Sequence, residues 1–265
     1  MQSLSLREIQ LAELEILIQF DAYCKKHHLR YSLCGGTLLG AVRHKGFIPW
    51  DDDIDVMMPR PDYEKLKHLA TVQSIHQDMV FRCGENGEIG APFGKILDTR
   101  IPTQISYISD VNSAYLWVDI YPVDGLPNDL EEAKKLYRKA DCLMLLLGLA
   151  QAQLGEGRNI FKKYAKYLLK PLVQSVGVHR IMGALSSLTT GYDYESAKYV
   201  GVVIGESFGI NERLPKELFD VFILLEFEGL YFSAMPCWEI YLTQCYGDYM
   251  ILPKAKHRKG HIGLD

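Results

Sequence analysis

The chain has 265 residues, 48% of them hydrophobic, with a formal net charge of −4. That is enough apolar material for a sizeable core in one large domain or two small ones. The mild charge excludes the electrostatic footprint of a nucleic-acid-binding protein.

The six cysteines, Cys24, Cys34, Cys83, Cys142, Cys237 and Cys245, include no CxxC pair. This spacing suits neither a zinc site nor a small disulfide scaffold and reads as reduced thiols of a cytoplasmic protein. Ser3 to Cys24 carries acids and an amphipathic pattern, unlike a signal peptide. The most apolar run, Leu143 to Leu149, is far below the ~20 residues that span a bilayer. The expectation is a cytoplasmic protein, at most peripheral on the inner membrane face.

Ser5-Leu6-Arg7-Glu8 has the form of a capping box. Leu11, Leu14, Ile18 and Ala22 then recur at helical spacing, predicting a first helix to about Lys26. Leu29 to Cys34 reads as a short strand, broken by Gly35-Gly36. Thr37 is suited to cap a second helix over Leu38 to Arg43, and Gly46 and Pro49 mark a turn. A strand is predicted over Asp53 to Met58, ending at Pro59-Arg60-Pro61, and then a helix with Tyr63, Leu66 and Leu69 on one side. Residues 80–125 read as strands and turns, with Thr103 to Ile108 and Leu116 to Val123 the clearest. From Asp129 to about Leu188 the pattern is helical, with a break near Gly155-Glu156-Gly157. A strand pair flanks Glu228-Gly229, and a last helix runs from about Trp238 to Tyr246 with Gly247 as its stop.

The stretch Gly46-Phe47-Ile48-Pro49-Trp50-Asp51-Asp52-Asp53-Ile54-Asp55-Val56-Met57 crowds acids at the start of an apolar strand. Alternation along a strand puts Asp53 and Asp55 on one face, joined by Asp51 if the extended backbone begins early. Such carboxylates repel one another or take up protons unless a cation lies among them. Hard oxygen ligands select Mg²⁺ or Mn²⁺. A calcium loop does not fit, because Val56 stands where its glycine is required and Asp62 where its glutamate is expected. A third acid is expected from Leu116-Trp117-Val118-Asp119-Ile120-Tyr121-Pro122-Val123-Asp124. There Asp119 faces away from the core side, in mid-strand, where aspartate is disfavoured without a partner. Asp124, before Gly125, reads as a turn residue.

The segment Gly35-Gly36-Thr37-Leu38-Leu39-Gly40, followed by Arg43 to Asp55, closely resembles the LicD family of bacterial phosphocholine transferases and fukutin-related proteins. The resemblance continues through Lys95-Ile96-Leu97-Asp98 and Trp117 to Gly125. It resumes at Phe227-Glu228-Gly229 and at Tyr246-Gly247-Asp248-Tyr249-Met250, reaching Pro253, Arg258 and His261. It implies an α/β (α+β) fold: a nucleotidyltransferase-like core of the DNA polymerase β type with a mixed sheet, in one catalytic domain over 1–265 with a helical insertion at about 129–195.

The activity implied is transfer of phosphocholine from CDP-choline to a sugar hydroxyl of a teichoic acid or related glycan precursor, lipid-linked in one version, with release of CMP. Asp51, Asp53, Asp55 and Asp119 would hold the metal, and Asp53, Asp55 and Asp119 would be catalytic. Gly35, Gly36 and Thr37, at a helix start, and the bases Arg43 and Lys95 are candidates for the donor phosphates, with Arg258 and His261 as weaker ones. Trp50, Trp117 and Tyr121 are candidates to hold choline or the base through their aromatic faces. Phe161 to Lys170, basic and aromatic-rich, suits an anionic membrane surface. Rival readings are transfer of ribitol or glycerol phosphate from their CDP donors, a nucleotidyltransferase that releases pyrophosphate, and a metal-dependent glycan-binding protein without catalysis.

Overall fold

The computed structural model describes residues 4–103, 114–152, 160–205, 208–255 and 258. In chain order the elements are α1 (Leu6–His27), β1 (Ser32–Leu33), α2 (Gly35–His44), β2 (Asp55–Pro59), α3 (Arg60–Val72), β3 (Met79–Cys83), β4 (Gly94–Pro102) and β5 (Tyr115–Leu126). Three helices follow, α4 (Leu130–Gln151), α5 (Ile160–Val176) and α6 (Val178–Thr189). The chain then forms β6 (Tyr199–Val202), β7 (Leu214–Pro215), α7 (Lys216–Phe219), β8 (Ile223–Phe227), β9 (Leu230–Ala234) and α8 (Trp238–Tyr246). This is a mixed α/β architecture.

The strands run β1-β2-β5-β4-β3 across the sheet. β2 is parallel to β5, while β1–β2, β3–β4 and β4–β5 are antiparallel. β5 is long enough, at 12 residues, to pair with β4 over its first half, with β2 over Asp119 to Val123 and with β6 from Val123 onward. Ile54, Val56 and Met58 are buried as their alternation requires, and so is Met57 on the other side, so β2 is covered on both faces. α1 supplies part of this cover: Ile9, Ile16, Leu17, Phe20 and Cys24 lie in the central core with Val118 and Ile120 of β5. The capping box expected at Ser5 and Glu8 is present. α4 and α6 share a smaller apolar cluster built on Leu147, Ile181 and Leu185.

Several expectations change at this level. Asp53 and Ile54 precede β2, which starts at Asp55, so the predicted strand is two residues shorter at its front. Gly35 and Gly36 open α2 rather than break the chain before it, and the residue at the cap is Cys34. Thr37 lies within the first turn, and its hydroxyl accepts the Asp55 N–H at 2.8 Å. Asp124 is a strand residue, buried under Arg60, because β5 runs on through Gly125 to pair with β6. The strand expected over Thr103 to Ile108 falls, beyond Thr103, outside the described residues, as does the break at 155–157. The basic segment at 161–170 is helical, within α5. Among the described residues no helix is long and apolar enough to cross a membrane.

Candidate active site

β1, α2 and β2 meet at one end of the sheet and carry the acids there. Cys34 N–H donates to the Asp55 carbonyl at 3.2 Å, and Thr37 takes the N–H of the same residue. Both strands are thereby tied to the first turn of α2. Gly35 has φ +52°, a backbone conformation that strongly favours glycine. A Cβ there would stand 3.2 Å from Asp55 Oδ2, and one on Gly36 would stand 2.7 Å from Asp51 Oδ2. The paired glycines therefore let two carboxylates approach the N-terminal end of a helix, where its dipole favours negative charge.

The acidic loop brings carboxylate oxygens of Asp51, Asp52 and Asp53 within 4.8 Å of one another. Asp51 and Asp52 are buried and Asp53 partly so. The set predicted from alternation was Asp51, Asp53 and Asp55. The loop precedes the strand, so the period of two does not apply to it, and Asp52 joins the cluster instead of pointing away. Asp55 lies beside it in another way: in the β2–β5 register it is the direct neighbour of Asp119. Lys95 is the next member of the same row, on β4.

Lys95 Nζ meets Asp119 Oδ1 at 2.6 Å, and Trp117 Nε1 donates to Asp119 Oδ2 at 3.1 Å. Burial pushes the Asp119 carboxyl up, and the negative charge of Asp53 adds to this; Lys95 and the Trp117 hydrogen bond oppose the rise. The Lys95 ammonium also stands 4.3 Å from the Trp117 ring centroid, with Phe93 on another side. The other predicted residues have partners of their own. Arg43 donates to the Tyr249 carbonyl at 2.7 Å. The Arg258 guanidinium lies over Trp50 at 5.1 Å. Tyr121 packs on Phe93 with ring centroids 4.6 Å apart. Trp117 and Tyr121 are thus linked through Lys95 and Phe93, while Trp50 has Arg258 as its neighbour. His261 lies outside the described residues.

Other parts of the signature hold this end of the molecule in place. Glu228, at the tip of the β8–β9 hairpin, accepts the Phe47 N–H at 3.1 Å and pairs with Arg7 of α1 at 2.6 Å. Its own N–H donates to the Lys45 carbonyl. The Phe-Glu-Gly turn thus clamps the loop that leads into the acids. Sequence reasoning also missed Gln10, whose Nε2 donates to the Asp51 carbonyl at 2.8 Å. It missed Glu212 as well. Tyr241 accepts the Gly35 N–H at 3.2 Å and donates to Glu212 Oε1 at 2.9 Å, so a buried carboxyl supports the glycine turn from behind. Gln10 and Glu212 carried no usable signal, since their partners lie 41 and 29 residues away.

Comparison with known proteins gives this arrangement a context. Residues 28–134 match the family described as LicD/FKTN/FKRP, nucleotidyltransferase domain. The chain is 34% identical over 270 aligned residues to the lipopolysaccharide cholinephosphotransferase LicD of Haemophilus influenzae, covering 98% of this chain and 97% of that protein. The chain belongs to the LicD family. It is a phosphotransferase. Shorter stretches of this LicD-family enzyme match an uncharacterized protein of Rickettsia prowazekii, with 46% identity over 44 residues (17% of this chain, 16% of that one). The human ribitol 5-phosphate transferase FKRP is 30% identical over 94 residues, which is 36% of this chain and 17% of that one.

In this LicD-family enzyme the carboxyl behind the glycine turn makes a pH dependence testable. Burial pushes Glu212 up to about 8 from an ordinary 4.5, against the hydrogen bonds from Tyr241 and the Phe208 N–H. The folded chain keeps a proton there that the unfolded chain loses near 4.5. Stability should therefore decline as pH rises through the interval between those values. The expected result is a falling Tm between pH 5 and 8 in EDTA, with a shallower fall in Glu212→Gln. Scanning calorimetry checks this, and equal slopes for the two proteins would remove Glu212 as the cause.

Proposed function

We propose that the enzyme transfers phosphocholine from CDP-choline to a sugar hydroxyl of a teichoic acid or related cell-surface glycan precursor. The observation that carries the phosphocholine transfer is the 34% identity, over nearly the full length, with a protein named a lipopolysaccharide cholinephosphotransferase. The acceptor oxygen bonds to the phosphorus that bears choline, the bond from that phosphorus to the CMP oxygen breaks, and the acceptor proton passes to a base. We also read the core as nucleotidyltransferase-like, of the DNA polymerase β type, in one catalytic domain with α4 to α6 as its insertion; the family description supports the nucleotidyltransferase likeness alone.

The residues present fit a hard divalent cation, Mg²⁺ or Mn²⁺. All the donors are carboxylate oxygens, and three of them come within 4.8 Å of one another. Asp51 and Asp53, with Asp52, would hold it, aided by Asp55 and Asp119 from the adjoining strands. Such a cation neutralises charge on the transferred phosphoryl group and on the departing nucleotide. Lys95 keeps Asp119 in one orientation, in which Asp119 either shares the cation or takes the acceptor proton. The backbone at Gly35 and Gly36 and the Arg43 side chain are the groups we assign to the donor phosphates.

The test is to incubate the protein with CDP-choline, CDP-ribitol and CDP-glycerol separately, each with Mg²⁺ or Mn²⁺ and a panel of cell-wall glycan precursors. The expected outcome is CMP formation that depends on acceptor and is fastest with CDP-choline. A ribitol phosphate preference is the second reading, favoured by the local match to the human ribitol 5-phosphate transferase. Pyrophosphate released from a nucleoside triphosphate, without CMP from any CDP-alcohol, would replace both with nucleotidyl transfer. Glycan and cation binding with no product of either kind would point to a binding protein.

A further inference from the structure

Glu13 belongs to the apolar stripe of α1. It stands one turn after Ile9 and one turn before Leu17, both of which are buried. Its side chain is fully buried, at 0% exposure. Among the described residues neither carboxylate oxygen has a hydrogen-bond partner, and no basic side chain pairs with the group. Buried carboxyls are almost always hydrogen-bonded or paired, because an ionised one without a partner is strongly unfavourable. A glutamate held in this position therefore calls for a specific reason.

Its surroundings supply one. Gln10, three residues earlier on the same helix, donates to the backbone of Asp51, so this part of α1 is the wall behind the acidic loop. The charges that bear most on Glu13 are those of Asp53, Asp52, Asp55 and Asp119, in that order. Burial first, and then these acids, hold the Glu13 carboxyl well above the ordinary carboxylate range. The aspartates are carried by the loop before β2 and by β2 and β5, whereas Glu13 is carried by α1. A divalent cation of the magnesium type takes oxygen ligands from several directions.

We propose that Glu13 is a further carboxylate of the divalent-cation site, closing it from α1. The inference rests on the reading above that the aspartates hold a cation. It gives α1, which lies outside the residues matched to the family, a direct part in the site. It also accounts for a glutamate at a position where the helix pattern calls for leucine or isoleucine.

The test is a Mn²⁺ titration of the full chain, with free Mn²⁺ read by electron paramagnetic resonance and the folded state followed by circular dichroism. Wild type, Glu13→Gln, Glu13→Asp and Asp53→Asn are compared. The expected result is that wild type binds Mn²⁺, while Glu13→Gln binds it at least about tenfold more weakly, as does Asp53→Asn. In EDTA the Tm of Glu13→Gln should equal or exceed that of wild type, because glutamine removes the cost of burying that charge or of taking up a proton on folding. Mn²⁺ affinity of Glu13→Gln within twofold of wild type, with Asp53→Asn weakened, would overturn the role of Glu13 and leave the cation reading intact. No binding by wild type at millimolar Mn²⁺ would overturn both. Should Glu13→Gln fail to fold, Glu13→Asp gives the decision, since it keeps the charge but withdraws the oxygens by one methylene: weakened binding supports the proposal and wild-type binding overturns it.

Discussion

Asp53→Asn and Asp55→Asn should each lower CMP release by about two to three orders of magnitude, while Tm changes little. The size follows from what fixed charge-stabilising groups contribute in other enzymes, about 3–4 kcal/mol each. Preservation of the fold follows from how the local structure is held. At Asp55 the bonds to Cys34 and Thr37 use the backbone carbonyl and N–H, which an asparagine keeps. Asparagine is also nearly the same size, so the close approach of Asp55 to Gly35 survives. What is lost is negative charge beside Asp119 and the loop acids. Steady-state CMP release together with thermal melts checks the prediction. Turnover within threefold of wild type in either variant would withdraw that residue from the site.

The second large effect is expected far from the acids, on stability. Arg60 opens α3 and is almost buried against Asp124 of β5, with Nε–Oδ1 at 2.6 Å and Nη2–Oδ2 at 3.1 Å. The same guanidinium reaches Glu64 and Glu85 through Nη1 and lies 5.2 Å from the Tyr63 ring centroid. Asp124 is only 1% exposed. Arg60→Met leaves that carboxylate buried without its partner, a change that costs about 3–5 kcal/mol. Out of a total stability of about 5–15 kcal/mol this is a large share, and it corresponds to a fall in Tm on the order of 10 °C. Adding Asp124→Asn to Arg60→Met should recover part of the loss, because it removes the stranded charge. Urea unfolding of the single and double variants measures both terms. A single variant within 1 kcal/mol of wild type would show that water or another cation already compensates Asp124.

These two outcomes separate the aspartates of one motif. Trp117 to Gly125 contains Asp119 and Asp124, five residues apart. On a strand an odd spacing sends side chains to opposite faces. Asp119 accordingly joins the row with Asp55 and Lys95, while Asp124 is held by α3. Alternation alone separates Asp119 from the core-side residues of β5, and the register places it beside Asp55. The role of Asp124 was misread because Gly125 suggests a turn. That glycine is required for another reason: a Cβ there would stand 2.7–2.8 Å from the carbonyl oxygens of Tyr192 and Asp193. A close approach by a segment nearly 70 residues away leaves the same mark in a sequence as a bend in the chain.

Local chemistry was sufficient for the parts of this protein governed by short-range forces. The capping box and apolar period of α1, the hairpin at Glu228-Gly229, and α8 with its glycine stop depend on neighbours a few residues away, so the amino-acid order alone determined them. The crowding of acids at the start of an apolar strand was also written in the order alone. Which carboxylates converge was decided only by tertiary structure. Asp52 joins because the loop is irregular, Asp55 and Asp119 become neighbours because β2 and β5 align in parallel, and Glu13 is buried because α1 packs over the sheet. Each of these depends on contacts between segments distant in the chain, and electrostatic energy depends on distance in space, which residue spacing does not encode.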